Sequence, residues 1–211
     1  NLNLVLGMEL PDTSGRIRED TLAQVSAGRY DSSIPKVDFF EYRINEALAE
    51  GDRIDLIAMG RPEGPGCYCA ANSILRSVID RLGNQYDFVV IDNEAGLEHI
   101  SRQTTRNVDK LFIVTDMTMR GIAAAGHIVR LIQELGTRVH ETYLVINRAN
   151  NDIPQFMREE IERLGLNLIG ILPQDKTIAE FDLTGRPLIE ISEEAPIYKA
   201  VAEIAAKAGI R

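Results

Sequence analysis

Five short apolar runs alternate with segments of helical periodicity along most of this chain, and that alternation limits the folds open to it. The runs are IDLIAMG, YDFVVID, KLFIVTD, TYLVINR and NLIGIL, at residues 54–60, 86–92, 110–116, 142–148 and 167–172. Apolar runs of this length, separated by helices, are typical of parallel strands that are buried on both faces. We therefore predict a doubly wound α/β fold, with a mostly parallel sheet and helices on both of its faces.

Between the strands, apolar residues recur at the three- and four-residue spacing of one helix face. The clearest set predicts a helix that Gly136 ends. Its apolar residues are Ile122, Ala125, Ile128, Val129, Ile132 and Leu135. Similar patterns predict helices over 70–82, 99–106, 154–164 and 195–208, and another that contains Phe40, Ile44, Ala47 and Leu48. No linker divides the chain, so we expect a single domain over 1–211.

Charge and cysteine content exclude several classes of partner. The formal net charge is −9, which argues against nonspecific nucleic-acid binding and against docking on an acidic membrane surface. No apolar run reaches the roughly 18 residues of a membrane span. Two cysteines cannot build a disulfide framework, which favours a reducing, cytoplasmic location.

Polar residues follow the predicted strands at the edge where parallel sheets bind their ligands. Asp92 ends the run FVVID, where a carboxylate can orient Mg²⁺ or can simply cap the next turn. The strand alone does not separate these two roles. The following loop, 93–99, contains Gly96 and could sense a γ-phosphate.

Two further strand ends predict a pocket for a nucleotide base. Asn147 and Arg148 end one strand, and an amide can donate to and accept from a single base edge. Pro173, Gln174 and Asp175 follow the next strand. Each of these residues is common in turns, but on neighbouring strand ends they would together form a base pocket.

The only two cysteines, Cys67 and Cys69, lie behind the turn PEGPG and just before a predicted helix. Thiolates are soft ligands for zinc, nickel and iron–sulfur clusters, and a helix N-terminus favours the thiolate. A closed site needs four donors, and one chain supplies two. A homodimer with its two-fold axis through the site would supply four. Two reduced thiols in a loop, or a strained local disulfide, are the alternatives.

The segments YDFVVIDNEAGLEHISR, TDMTMRGIAAAGHI, VINRAN and GILPQD together resemble the deviant Walker-A ATPases, the P-loop family of MinD, ParA and the nitrogenase iron protein. Cys67-Tyr68-Cys69 is similar to the Cys-x-Cys motif of the CooC-type accessory ATPases of carbon monoxide dehydrogenase maturation. The resemblance implies ATP/ADP and Mg²⁺ binding, a homodimer, and an ATP-dependent metallochaperone. It implies that Ni²⁺ (or Zn²⁺) binds the cysteines and that carbon monoxide dehydrogenase is the client.

One part of the family pattern is missing from these residues. The Gly-rich phosphate loop is absent, and no Gly-Lys dipeptide occurs. We therefore expect a nucleotide-binding domain that is N-terminally incomplete, with ATPase activity in the complete protein.

Two other functions stay open. One is an iron–sulfur ATPase that donates electrons, because Cys69-Ala70 also fits the cluster cysteine of the nitrogenase iron protein. The other is a MinD/ParA-like positioning module with structural zinc. His99 lies in the loop after Asp92, either near the metal or as a residue of the switch loop or of a helix start.

Overall fold

The computed structural model of the protein describes residues 2–28, 33, 35–58, 81, 83–93, 107–149 and 152–210. The chain forms two compact units, Asn1–Asn93 and Glu94–Arg211. Each unit has its own buried apolar residues. The single nucleotide-binding domain over 1–211 stays a prediction.

Three helices lie in the N-terminal half of the first unit. They are α1 (Leu2–Leu6), α2 (Ser14–Ser26) and α3 (Lys36–Glu46). Helices α2 and α3 pack against each other. Ile17 on α2 and Ile44 on α3 are almost completely buried. The helix predicted around Phe40 and Ile44 is therefore confirmed, but it ends at Glu46, before Ala47 and Leu48, and Pro35 precedes its first turn.

The two strands predicted in the first unit do not form as predicted. Leu56 makes an isolated antiparallel bridge with Ala49, through backbone hydrogen bonds of 2.8 and 2.9 Å. Residues 59 and 60 of that run lie outside the described residues. So do the helix predicted over 99–106 and, apart from the helical Arg81, the helix predicted over 70–82. Residues 86–93 are described and carry no strand. A strand is stabilised by ladder hydrogen bonds to a neighbour, and no described segment pairs with this one.

A three-stranded parallel sheet forms the centre of the second unit. Its strands are β1 (Asn107–Asp116), β2 (Arg138–Asn147) and β3 (Leu168–Ile171), in that spatial order. Helix α4 (Met119–Glu134) connects β1 to β2, and α5 (Gln155–Arg163) connects β2 to β3. These elements confirm the predicted strand–helix alternation over the second half of the chain.

The predicted apolar face of α4 packs on the sheet. Ile122 and Ala125 are buried in a cluster with Leu144 and Ile146 of β2. Gly136 has a φ of 63°, a left-handed conformation that glycine adopts without steric cost, and the chain leaves the helix there. The remaining members of the cluster are Ile113, Ala149, Ile153, Met157 and Ile161.

Three further elements complete the described part of the second unit: α6 (Lys176–Thr184), a 3₁₀ turn (Leu188–Glu190) and α7 (Pro196–Lys207). Helix α7 packs on β3. The predicted helix over 195–208 is thus confirmed. Among the described residues, no helix combines the length and the apolar character needed to cross a bilayer.

Candidate nucleotide site

The strands of the second unit end at a common edge of the sheet. In the parallel register, Asp116 of β1 is paired with Asn147 of β2. On the other side of β2, Ile146 is paired with Ile171 of β3. The loops that follow the three strands therefore leave the sheet side by side, as expected for the ligand edge of a parallel sheet.

Backbone hydrogen bonds join the loops after β2 and β3. The N–H of Leu172 donates to the carbonyl of Ile146 at 2.8 Å, and the N–H of Ala149 donates to the carbonyl of Leu172 at 3.1 Å. Ala149 is buried at this junction. Arg148 and Pro173 flank these paired residues in the chain. The structure thus brings together the two segments that the sequence assigned to a base pocket.

Asn147 is held in place by the residue that follows it. Its side-chain oxygen Oδ1 accepts a hydrogen bond from the backbone N–H of Arg148 at 2.8 Å. Asn147 is half-buried, whereas Arg148 is exposed. Arg148 also has a φ of 56°, in the left-handed region that side chains disfavour. The sequence gives no sign of this conformation, because glycine or asparagine is the usual residue there.

Asp175 uses its carboxylate within the fold. Oδ1 accepts from the backbone N–H of Thr177 at 2.8 Å and caps helix α6. Oδ2 accepts from the backbone N–H of Ile197, in the first turn of α7, at 3.1 Å. The hydrogen bonds from Thr177, and to a smaller extent the one from Ile197, lower the pKa of Asp175 below its ordinary value. Pro173 is half-buried, and Gln174 is exposed.

A cavity at the end of β1 adds residues that the sequence analysis did not assign. It has a volume of about 690 Å³ and is lined by Asp116, Thr118, Met119, Arg120 and Gly121. The hydroxyl of Thr118 donates to Asp116 Oδ1 at 2.7 Å and accepts from the N–H of Gly121 at 3.0 Å, which caps α4. In the sequence, these lining residues could have been found from their position at, or directly after, the end of the predicted strand over 110–116.

The metal-binding predictions fall largely outside this part of the structure. Cys67, Cys69, Gly96 and His99 lie outside the described residues. Asp92 is described, and it is exposed in the first unit without a preceding strand. Among the described residues, no group of three or more histidine, cysteine or acidic side chains could hold a metal ion.

Comparison with known proteins identifies the family. Residues 40–209 match the model of the family described as "4Fe-4S iron sulfur cluster binding proteins, NifH/frxC family". The chain belongs to the NifH/frxC family. This NifH/frxC member is 44% identical over 207 residues to an uncharacterized ATP-binding protein of Methanocaldococcus jannaschii, covering 98% of this chain and 82% of that relative.

Two more distant similarities are to a curated protein and to a solved structure. The carbon monoxide dehydrogenase accessory protein CooC of Rhodospirillum rubrum is 27% identical over 183 residues, which are 85% of this chain and 67% of CooC. The MinC:MinD cell division protein complex of Aquifex aeolicus contains a chain with a TM-score of 0.68 and 19% identity. The match covers 100% of this chain and 79% of that one, and it shows that the NifH/frxC member has the MinD fold.

Proposed function

We propose that the chain binds and hydrolyses ATP with Mg²⁺, and that the loops after β2 and β3 hold the nucleotide base. The chain is a member of the NifH/MinD/ParA family of ATPases. The observation that carries the assignment of the base site is the hydrogen bond from Ala149 to Leu172, because it fixes the two loops side by side. The relative from Methanocaldococcus jannaschii, named as an ATP-binding protein, supports the choice of nucleotide.

The residues of this site take different parts. The Asn147 amide contacts the polar edge of the base, and Pro173 offers an apolar wall beside it. Arg148 and Gln174 border the opening, since both are exposed at the same edge. Both oxygens of Asp175 already accept backbone N–H groups, so Asp175 holds the loop in place. Separately from the base site, Asp92 of the first unit is proposed, from its position in the sequence, to orient Mg²⁺.

Calorimetric titration of the full-length protein with ATP and Mg²⁺ tests the base site. Asn147→Ala removes a polar contact to the base, so we expect ATP affinity to fall by about 3- to 10-fold. Asn167→Ala is the matched control, because Asn167 is an exposed asparagine just before β3, at the opposite end of the strand from Pro173. Equal affinities of the Asn147 and Asn167 variants would remove Asn147 from the site.

We further propose that Cys67 and Cys69 of two copies hold one metal centre between them. The sequence contains two cysteines, so a pair of chains supplies the four thiolates that a closed site requires. We favour nickel as the bound metal. In this proposal the protein is an ATP-dependent metallochaperone that carries nickel and delivers it to carbon monoxide dehydrogenase. The similarity to CooC supports this client.

A 4Fe-4S cluster is the second candidate for the same cysteines. The family description favours it, and four thiolates from two chains match the ligand set of such a cluster. When bound, a cluster of this kind supplies one-electron chemistry. Each chain would then contribute two ligands, Cys67 and Cys69.

Metal analysis of anaerobically purified full-length protein separates the candidates. Nickel without sulfide supports the metallochaperone, whereas iron with acid-labile sulfide supports the cluster. Cys67→Ser with Cys69→Ser should lose the bound metal in either case, and the parent protein should be a dimer by light scattering when it is loaded. Unchanged metal content in the double variant would exclude the cysteine site.

A further inference from the structure

The backbone at Arg148 is unusual for a residue with a side chain. Its φ of 56° is the one positive value found at a non-glycine residue in the described part of the chain. The left-handed conformation crowds the Cβ atom of an L-residue against its own backbone. Such conformations persist only where surrounding contacts hold them, and they concentrate at functional sites.

Contacts on both sides hold this turn. The N–H of Arg148 itself donates to Asn147 Oδ1 at 2.8 Å. The next residue, the buried Ala149, donates to the carbonyl of Leu172 at 3.1 Å. The chain therefore leaves β2, turns at Arg148 and is joined at once to the loop after β3.

The turn determines how Asn147 presents its amide. An asparagine side chain has one carbonyl oxygen and one NH₂ group. Because Oδ1 is engaged by the backbone of Arg148, rotation of the amide would break that hydrogen bond. The Asn147 side chain is therefore held in one orientation, with its NH₂ group as the donor left for a ligand.

The guanidinium of Arg148 takes no part in the hydrogen bonds that hold the turn. The residue is exposed, and no ion pair to it occurs among the residues that the structure describes. The contribution of Arg148 to the turn is therefore made by its backbone N–H and its φ angle.

We propose that Arg148 is a positioning residue that sets the orientation of the Asn147 amide through its left-handed backbone and not through its charge. This inference rests on the proposed nucleotide site and gives a role to Arg148, the residue that follows Asn147. The substrate group that it serves is a hydrogen-bond acceptor on the edge of a purine base, which the oriented NH₂ group would contact.

Three substitutions separate the backbone from the guanidinium. Arg148→Gly and Arg148→Val both remove the charge, but glycine adopts positive φ freely and valine resists it. We expect Arg148→Gly to bind ATP about tenfold more tightly than Arg148→Val, because the competent turn is less populated in the valine variant. Arg148→Lys keeps the charge but has no easier access to positive φ. Titration of the full-length protein with ATP and Mg²⁺ gives each affinity.

A double variant tests whether Arg148 acts through Asn147. In an Asn147→Ala background there is no amide to orient, so the affinity ratio between Arg148→Gly and Arg148→Val should fall below about twofold. The valine substitution should still lower the melting temperature there. A purely structural effect of Arg148 would preserve the affinity ratio in both backgrounds and would overturn the inference.

The remaining outcomes are equally decisive. If Arg148→Gly and Arg148→Val bind ATP equally poorly while Arg148→Lys keeps its affinity, the positive charge at position 148 contributes the affinity and the inference is wrong. If the parent protein does not bind ATP at all, the proposed function fails and this inference fails with it. Binding by the parent protein together with equal affinities of all three variants rejects the inference alone.

Discussion

The carboxylate of Asp175 accepts a hydrogen bond from the backbone N–H of Ile197 at 3.1 Å. The contact joins the loop after β3 to the first turn of α7, 22 residues further along the chain. The other oxygen of the same carboxylate caps α6 through Thr177. A single side chain thus holds two helices against the loop that carries Pro173 and Gln174.

Removal of this carboxylate should destabilise the second unit. We expect Asp175→Ala to lower the melting temperature by about 2–4 °C, since loss of an N-cap typically has that effect in a chain of this size. Asp175→Asn keeps one carbonyl oxygen and should lose less. Circular dichroism gives the melting temperatures. Asp182→Ala, which removes an exposed acid from the same helix, controls for charge, and an equal loss there would contradict the capping role.

The same contact predicts a dependence of stability on pH. Hydrogen bonds from Thr177 lower the folded-state pKa of Asp175 below its ordinary value of 3.8. A lowered pKa means that the carboxylate contributes stability above pH 3.8, and that this contribution disappears as the pH falls through the folded-state value. The difference in melting temperature between the parent protein and Asp175→Asn should therefore be constant near pH 6 and narrow below pH 4. A constant difference down to pH 3 would show that ionisation of Asp175 is irrelevant.

The hydroxyl of Thr118 should be required at the start of α4. It accepts from the N–H of Gly121 and donates to Asp116, so its removal leaves both partners without this contact. We expect Thr118→Ala to cost about 1 kcal/mol of unfolding free energy, as for other N-caps, and Thr118→Ser to cost much less. Urea unfolding measures both. Equal losses in the two variants would assign the effect to the methyl group of Thr118.

Tyr86 and Asp55 form a titrating pair in the first unit. The Tyr86 hydroxyl donates to Asp55 Oδ2 at 2.6 Å, and this hydrogen bond is the main cause that raises the pKa of Tyr86 to about 12. The raised pKa means that the contact stabilises the fold below pH 10 and that this stabilisation is lost as the pH rises through about 12. We expect Asp55→Asn to bring the pKa of Tyr86 back toward 10.

Ultraviolet titration of the phenolate, with Tyr86→Phe subtracted, measures this shift. Asp87→Asn is the control, because Asp87 is an exposed carboxylate next to Tyr86 in the chain. A Tyr86 that titrates near its ordinary value in the parent protein would show that the hydrogen bond to Asp55 is not formed in solution.

The second unit could be predicted from the sequence because its signals are local. The buried face of α4, with Ile122 and Ala125, repeats at helical spacing, and the second half of β2 contains a continuous apolar run, Tyr143–Ile146. The position of Asn147 at the carboxyl end of a strand follows directly from that run. Parallel pairing then places Asn147 and Pro173 at the same edge without any further information.

The features that were missed depend on distant partners or on single backbone angles. The contact between Asp175 and Ile197 joins residues that no short pattern connects. The left-handed turn at Arg148 is set by hydrogen bonds that its neighbours make, and not by a preference of arginine. The prediction of a strand over 86–92 was wrong. An apolar run becomes a strand only when a neighbouring segment pairs with it, and no described segment pairs with this one.

Gly170 in β3 should be indispensable for the docking of α7. A Cβ atom at this position would overlap Ile204 Cγ1 and would lie 2.7 Å from Ile204 Cδ1, closer than such atoms approach in proteins. Ile204 is buried, so its side chain has little room to move. We expect Gly170→Ala to cost about 1–3 kcal/mol of unfolding free energy, as overpacking of a close contact does. Urea unfolding of the full-length protein measures the loss.

A double variant distinguishes overlap with Ile204 from an effect of the strand itself. Ile204→Ala removes the atoms that a new Cβ would meet and on its own should cost about 2–4 kcal/mol through the cavity that it leaves. If the overlap is the cause, Gly170→Ala with Ile204→Ala should lose less than the sum of the two single losses, because the new methyl group enters the space that Ile204 leaves. Additive losses would instead place the cost in the backbone of β3. Gly126→Ala serves as a milder comparison. Its new Cβ atom would approach Leu164 at 3.2 Å, so this substitution should cost less unfolding free energy than Gly170→Ala.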